Sequence, residues 1–356
     1  MKIILLILTL ILLNGCSIGK DQEKEYMVTM EQVQTEVKYI TSVPLLSENK
    51  LFICDFFRYN EGSTEGNVVM TDFSEKGSEE KPIYLTAVDV SYYNGYIYYS
   101  DGITVYRFNA ETKETETVFQ KDREENARLY DYRVNIGKGC AVWWEADENL
   151  KNSKCYSYDL ERNEKTLIAE SVYPFEPSAS NKIRNGYIGF FEKTKKGYTI
   201  YSTDVLTGKK TLLKEDTFDR PKTIVYNGDT LVWVSRGIGA AEKIHIISKN
   251  KESILSNGAS GIDIYKNYII YISDGYAYVY DFKNEVTVFS SENEFGDFSF
   301  NGLRFDEESG TAVLIAYNEK LDDEMYPNEN IGQSPNFIFL LKFKAKVLKI
   351  LAGKKT

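Results

Sequence analysis

Residues able to do chemistry are plentiful in one class and scarce in the others. Aspartate and glutamate number 53 in the 356-residue chain, against a single histidine, His245. Carboxylates held about 5–9 Å apart are what glycoside hydrolysis requires. Asp89, Asp131, Asp263 and Asp297 are the candidates for a shared central funnel, because each stands near the start of an inner strand of the repeat described below. So many acids make that pattern unspecific, and the plainer reading is that they cap strand ends and bond neighbouring amides. One histidine cannot build a histidine metal cluster. Serine–histidine catalysis would depend on His245 alone, and its place within Lys243-Ile244-His245-Ile246-Ile247 reads as a packed strand position.

Other candidate sites are weaker. Gly237-Ile238-Gly239 is followed by a strand pattern, whereas a phosphate-binding glycine loop opens a helix. Asp322, Asp323, Glu324, Asn328, Glu329 and Asn330 are hard oxygen donors suited to Ca²⁺, but their spacing matches no EF-hand loop, so the segment reads as a solvated acidic loop. Of four cysteines, Cys54, Cys140 and Cys155 lie in apolar runs and read as small buried hydrophobes, with only a Cys140–Cys155 bridge left open. No cofactor and no metal is indicated. A net charge of −10 argues against a nucleic-acid partner, which calls for a basic face.

The elements that must position these groups form a repeat. A turn followed at once by an apolar strand occurs at Asn49-Lys50, Asn94-Gly95, Lys138-Gly139, Asn185-Gly186, Asn227-Gly228, Asn267-Tyr268 and Ser309-Gly310, at spacings of 40 to 47 residues. Asn-Gly tolerates the positive φ angles of a two-residue hairpin, so each anchor joins two antiparallel strands. A third, alternating strand and a short fourth follow in each unit, for example ITVYRFN then ETVF, and NFIFLLKF then KVLKIL. With 27 tyrosines and 24 glycines, the composition also favours strands and turns. Four strands at this period, seven times over, predict an all-β fold: a β-propeller of four-stranded antiparallel blades. Six blades is the alternative, with the Lys138-Gly139 unit the weakest. The domain is expected over residues 37–356, ending in a basic run, KFKAKVLKILAGKKT, that reads as a protected edge strand and frayed tail.

The chain opens Met1-Lys2, followed by an uncharged apolar run over residues 3–13 and then Asn14-Gly15-Cys16. The run reads as a secretory signal peptide and is shorter than the roughly 20 residues of a membrane span. Leu13-Asn14-Gly15-Cys16 resembles the lipobox of bacterial lipoproteins. That resemblance implies cleavage after residue 15, acylation of Cys16 by palmitate-type chains, and an extracytoplasmic protein anchored to the bacterial cell membrane. Residues 16–36 are polar and read as a tether, with a possible strand around Tyr26.

Two units carry a second resemblance. Tyr98-Tyr99-Ser100-Asp101 and Tyr271-Ile272-Ser273-Asp274 look like the YWTD motif of propellers of the low-density-lipoprotein-receptor type, and YIYYSDGITVYRFN is similar to related bacterial propeller domains of unknown function. Those propellers have six blades where seven units are counted here. Their known members bind proteins, so the resemblance implies a binding module and carries no catalytic residue.

Function is therefore expected on loops. The connections between second and third strands are long in units one, three, five and seven, and ring closure makes seven and one neighbours. The expected partner-binding rim comprises Arg58, Tyr59, Trp144, Glu145, Asp322, Asp323 and Tyr326, since arginine and aromatics are enriched at binding hot spots. The expected function is a monomeric, non-enzymatic scaffold for a protein, peptide or glycan. The alternative is a carbohydrate-active enzyme using the funnel carboxylates.

Overall fold

The computed structural model describes residues 26–37, 39–56, 66–74, 79–101, 104–120, 128–129, 134–146, 153–171, 182–236, 242–255, 258–318 and 336–345. Its strands form seven antiparallel sheets arranged as a β-propeller, with no helix among the described elements. Blade two is representative: Ser91–Tyr93 innermost, then Tyr96–Ser100, Thr104–Asn109 and Thr115–Gln120 outermost. In blade three the inner strand comes in two pieces, Arg128–Leu129 and Asn135–Gly137, both paired with Cys140–Ala146.

The alternation of side chains along a strand explains the ring. Each blade sends its two faces to two different neighbours. Along Cys140–Ala146, Cys140, Val142 and Trp144 pack with Ile188 and Phe190 of blade four. Ala141 and Trp143, which point the other way, pack with Val105 of blade two. The described residues contain seven such buried clusters, one between each pair of consecutive blades. That between blades seven and one joins Val313, Ile338 and Leu340 to Leu46, Leu51 and Ile53. A four-stranded sheet with two apolar faces is stable only between two others, and closure supplies both.

The ring closes through its N-terminal end. Tyr26–Val33, within the segment read as a tether, is the outermost strand of blade seven and pairs with Phe337–Ala345 from Tyr26↔Ala345 to Val33↔Ile338. The ring thus begins before residue 37, and this strand takes the place expected for KVLKIL, which lies outside the described residues. Because Tyr26 is opposite Ala345, the chain enters the ring on the face that carries the inner hairpin turns. There Lys266 of the blade-six turn donates to the Tyr26 hydroxyl.

Those turns have the expected left-handed residues, such as Asn94 and Gly95 at φ 50° and 81°. In the first unit the turn falls one residue early, at Glu48 and Asn49. Gly186, at φ 81°, needs glycine for the same conformational reason, and it lies against the Lys138 side chain of the preceding blade. Cys140 and Cys155 are free. Register sets Cys140 opposite Asp159 and Cys155 opposite Trp144, about four residues or roughly 13 Å apart along the strands, beyond disulfide reach.

Candidate functional site

The innermost strands surround a cavity of about 660 Å³ that opens on the hairpin-turn face. Asp89 and Asp263 both reach it, and each ends in an ion pair. Asp263, on the inner strand Gly261–Tyr265 of blade six, is fully buried. Arg184 closes the inner strand of blade four and donates Nε to Oδ1 and Nη2 to Oδ2, both at 2.6 Å. Lys182 Nζ lies 3.3 Å from Oδ2, and the Ile264 amide donates to Oδ1 at 2.9 Å. Burial alone would raise this carboxyl, but the Arg184 and Lys182 charges outweigh it and hold the Asp263 pKa below its ordinary value. Arg184 also donates to the Ile183 and Phe305 carbonyls, so nearly all its fork is engaged.

The second pair repeats the device. Arg304, on the inner strand of blade seven, donates Nη1 to Asp89 Oδ1 at 2.8 Å and Nη2 to the Val90 carbonyl at 2.8 Å. Ser42 adds a hydroxyl to the same carboxylate oxygen at 2.9 Å. Each pair skips one blade, from four to six over five and from seven to two over one. Together they brace the ring across its centre. Asp297 is exposed in the connection between blades six and seven and does not line the cavity. Asp131 lies outside the described residues. Of the three described acids, Asp89 and Asp263 are each held in an ion pair and Asp297 stands apart from the cavity.

At the cavity mouth stand Glu48, Asn94, Lys138, Asn185, Glu307 and Glu308 from five blades. Glu307 accepts the Asn185 amide at 3.1 Å, tying the blade-seven turn to that of blade four.

The expected rim residues fare differently. Arg58, Tyr59, Asp322, Asp323 and Tyr326 lie outside the described residues. Trp144 and Glu145 are buried, at 1% and 5% exposure, which removes them from a surface role. The reason is that their strand runs on to Ala146, holding both between neighbouring blades. Trp144 meets Phe190 edge-on at 6.3 Å, while Glu145 accepts the Trp143 indole at 3.0 Å and the Lys165 ammonium at 3.2 Å. Lys165 also lies over the Tyr156 ring at 3.7 Å.

His245 Nε2 is 2.7 Å from Ser235 Oγ, and the imidazole stacks on Trp233 with centroids 4.5 Å apart. Ser235 is only 2% exposed, so this hydroxyl is packed inside the protein instead of being presented to a substrate. Burial lowers the imidazole pKa. Burial likewise pushes the Cys54 thiol up to about 12 and the Cys155 thiol well above its ordinary value, as suits core-filling cysteines.

No protein-family model matches the chain, and no curated protein matches it. Solved structures do. YCF48 from Cyanidioschyzon merolae superposes with a TM-score of 0.56 at 9% identity, over 88% of this chain and 98% of that one. An oligogalacturonate lyase in complex with manganese gives 0.53 at 12%, over 90% and 98%. The AfRom2 CNH domain gives 0.53 at 9%, over 89% and 100%. The ring is what they share. At such identities a seven-bladed β-propeller is common to proteins of different activity, and fold alone carries no chemistry from one to another. Among the described residues, no group of three or more His, Cys, Asp or Glu side chains is arranged to hold a metal ion.

Proposed function

We propose that this propeller is a non-enzymatic binding module held at the outer side of a bacterial membrane by a lipid on Cys16. The observation that carries the binding reading is the state of the channel acids. A glycosidase acid must keep a proton near neutral pH, which requires a raised pKa. Asp263 is lowered, and Asp89 is bonded to Arg304 and Ser42. These carboxylates act as braces, which favours binding over hydrolysis.

The anchor reading rests on Leu13-Asn14-Gly15-Cys16 after an apolar run. Cys16 precedes Tyr26 by ten residue steps, a span of at most about 35 Å. Since the chain enters the ring on the hairpin-turn face, a lipid on Cys16 would set that face toward the bilayer. The opposite face, from which the connections 57–65 and 319–335 leave their strands, would point outward to a partner. The test is Cys16→Ser in the full-length protein. Release of the domain from membranes, or an uncut precursor, is expected. Normal processing with unchanged membrane retention would discard the anchor.

A further inference from the structure

The outward face carries a surface feature that the channel does not explain. Phe218, in the two-residue link between blades four and five, is 91% exposed, far beyond the next most exposed aromatic among the described residues, Tyr84 at 53%. Isolated surface hydrophobes are ordinary, but an almost wholly solvated phenylalanine with exposed cations on either side of it marks a surface suited to recognition.

The cations come from strands beside it. Lys195 and Lys196 are exposed in the blade-four turn, which touches the residue before Phe218: a Cβ on Gly197 would lie 2.5 Å from the Thr217 carbonyl. Lys193, exposed at the end of its strand, pairs with Tyr198, and Tyr198 pairs with Thr217. Beyond the link, Arg236 is exposed opposite Arg220, and Lys243 is exposed opposite Ser235. Asp216 reaches Lys196 only at 3.9 Å, and the Lys196 side chain stays 78% exposed. These cations outnumber the acids beside them, the exposed Glu215 and Asp216 and the half-buried Asp219 and Glu242, in a chain of net charge −10.

We propose that the surface around Phe218 docks an acidic segment of a protein partner, with an apolar side chain packed on the Phe218 ring and carboxylates set against Lys195, Lys196 and Arg236. Aromatic anchors inside a charged surround are the usual arrangement of a binding hot spot, and complementary charge steers the encounter. A protein is favoured over an anionic bilayer because this surface lies on the face opposite the one where the chain enters at Tyr26. This choice rests on the reading of Cys16 as the anchor.

The test uses the full-length protein, two labelled peptides, one alternating glutamate with leucine and one alternating lysine with leucine, and phosphatidylglycerol vesicles. The glutamate peptide is expected to bind and the lysine peptide not to. Phe218→Ala, and separately Lys195→Glu with Lys196→Glu, should each weaken binding roughly tenfold, and rising salt should weaken it in the parent. Each variant should unfold at the parent's denaturant midpoint, because these side chains are exposed. No binding of the glutamate peptide, or binding untouched by the substitutions, overturns the proposal. Vesicle binding lost through the same residues would overturn it too, in favour of a lipid surface. Should a natural partner instead be lost when short Asp-Gly turns replace residues 58–66 and 319–335, with the Phe218→Ala variant binding normally, this site fails and the binding-module reading stands.

Discussion

The channel and the surface around Phe218 use the same kinds of residue in opposite states. In the channel, guanidinium and carboxylate groups from alternate blades are locked together, and Arg184 is bonded to a carboxylate and two carbonyls at once. Around Phe218, Lys195, Lys196 and Arg236 stand exposed beside a solvated ring. Charges whose bonds are filled by their own ring hold a shape, whereas charges left in solvent are open to a partner.

The sharpest break in this comparison is Asp263→Ala. It leaves Arg184 and Lys182 facing a buried gap, and removal of one partner of a buried pair costs about 3–5 kcal/mol. Urea unfolding should show a midpoint reduced accordingly, with the exposed Lys195→Glu change staying within about 0.5 kcal/mol of the parent. Asp89→Ala should cost less, about 1.5–3 kcal/mol, because the Arg304–Asp89 pair is more exposed than Arg184–Asp263 and only one cation faces the lost carboxylate. Equal losses at both acids would mean that burial does not distinguish the braces.

Acid titration gives a smaller, directional effect. The folded pKa of Asp263 lies below its ordinary value of 3.8, so at low pH the unfolded chain binds this proton more readily than the folded one. The stabilisation is complete above the ordinary value and is lost as pH falls through the folded pKa. Unfolding free energies measured between pH 5 and acid pH should therefore fall less steeply in Asp263→Asn than in the parent. Parallel acid limbs would show that the pair is not a net source of pH-dependent stability.

How much of this was legible in the sequence depends on how local each feature is. The hairpin turns and alternating strands are written in neighbouring residues, so seven blades could be counted from Asn-Gly and its variants. Closure is not local. Nothing near residues 346–351 signals that the outer strand of blade seven comes from Tyr26–Val33, some three hundred residues away along the chain. The braces show the same limit. Asp89 and Asp263 were visible as candidates, but their partners Arg304 and Arg184 stand 215 and 79 residues off. A signal was available: arginine is out of place in the apolar inner runs Ile183-Arg184 and Leu303-Arg304-Phe305, and a buried cation needs a buried anion. Trp144 reads as a rim residue because a strand's last residues look like the start of a loop until the pairing of Trp144 with Cys155 is known. Phe218 has no signature in the sequence, because its exposure depends on the packing of two blades.

The measurement that most directly tests the central claim, that the channel charges hold the ring, is a double-mutant cycle by urea unfolding over Arg184→Met, Asp263→Ala and the pair. Contact across the channel predicts strong non-additivity, with the double variant at least about 1 kcal/mol more stable than the sum of the two single losses allows. Additive losses would contradict it, since two residues whose effects simply sum are not bracing blades four and six together.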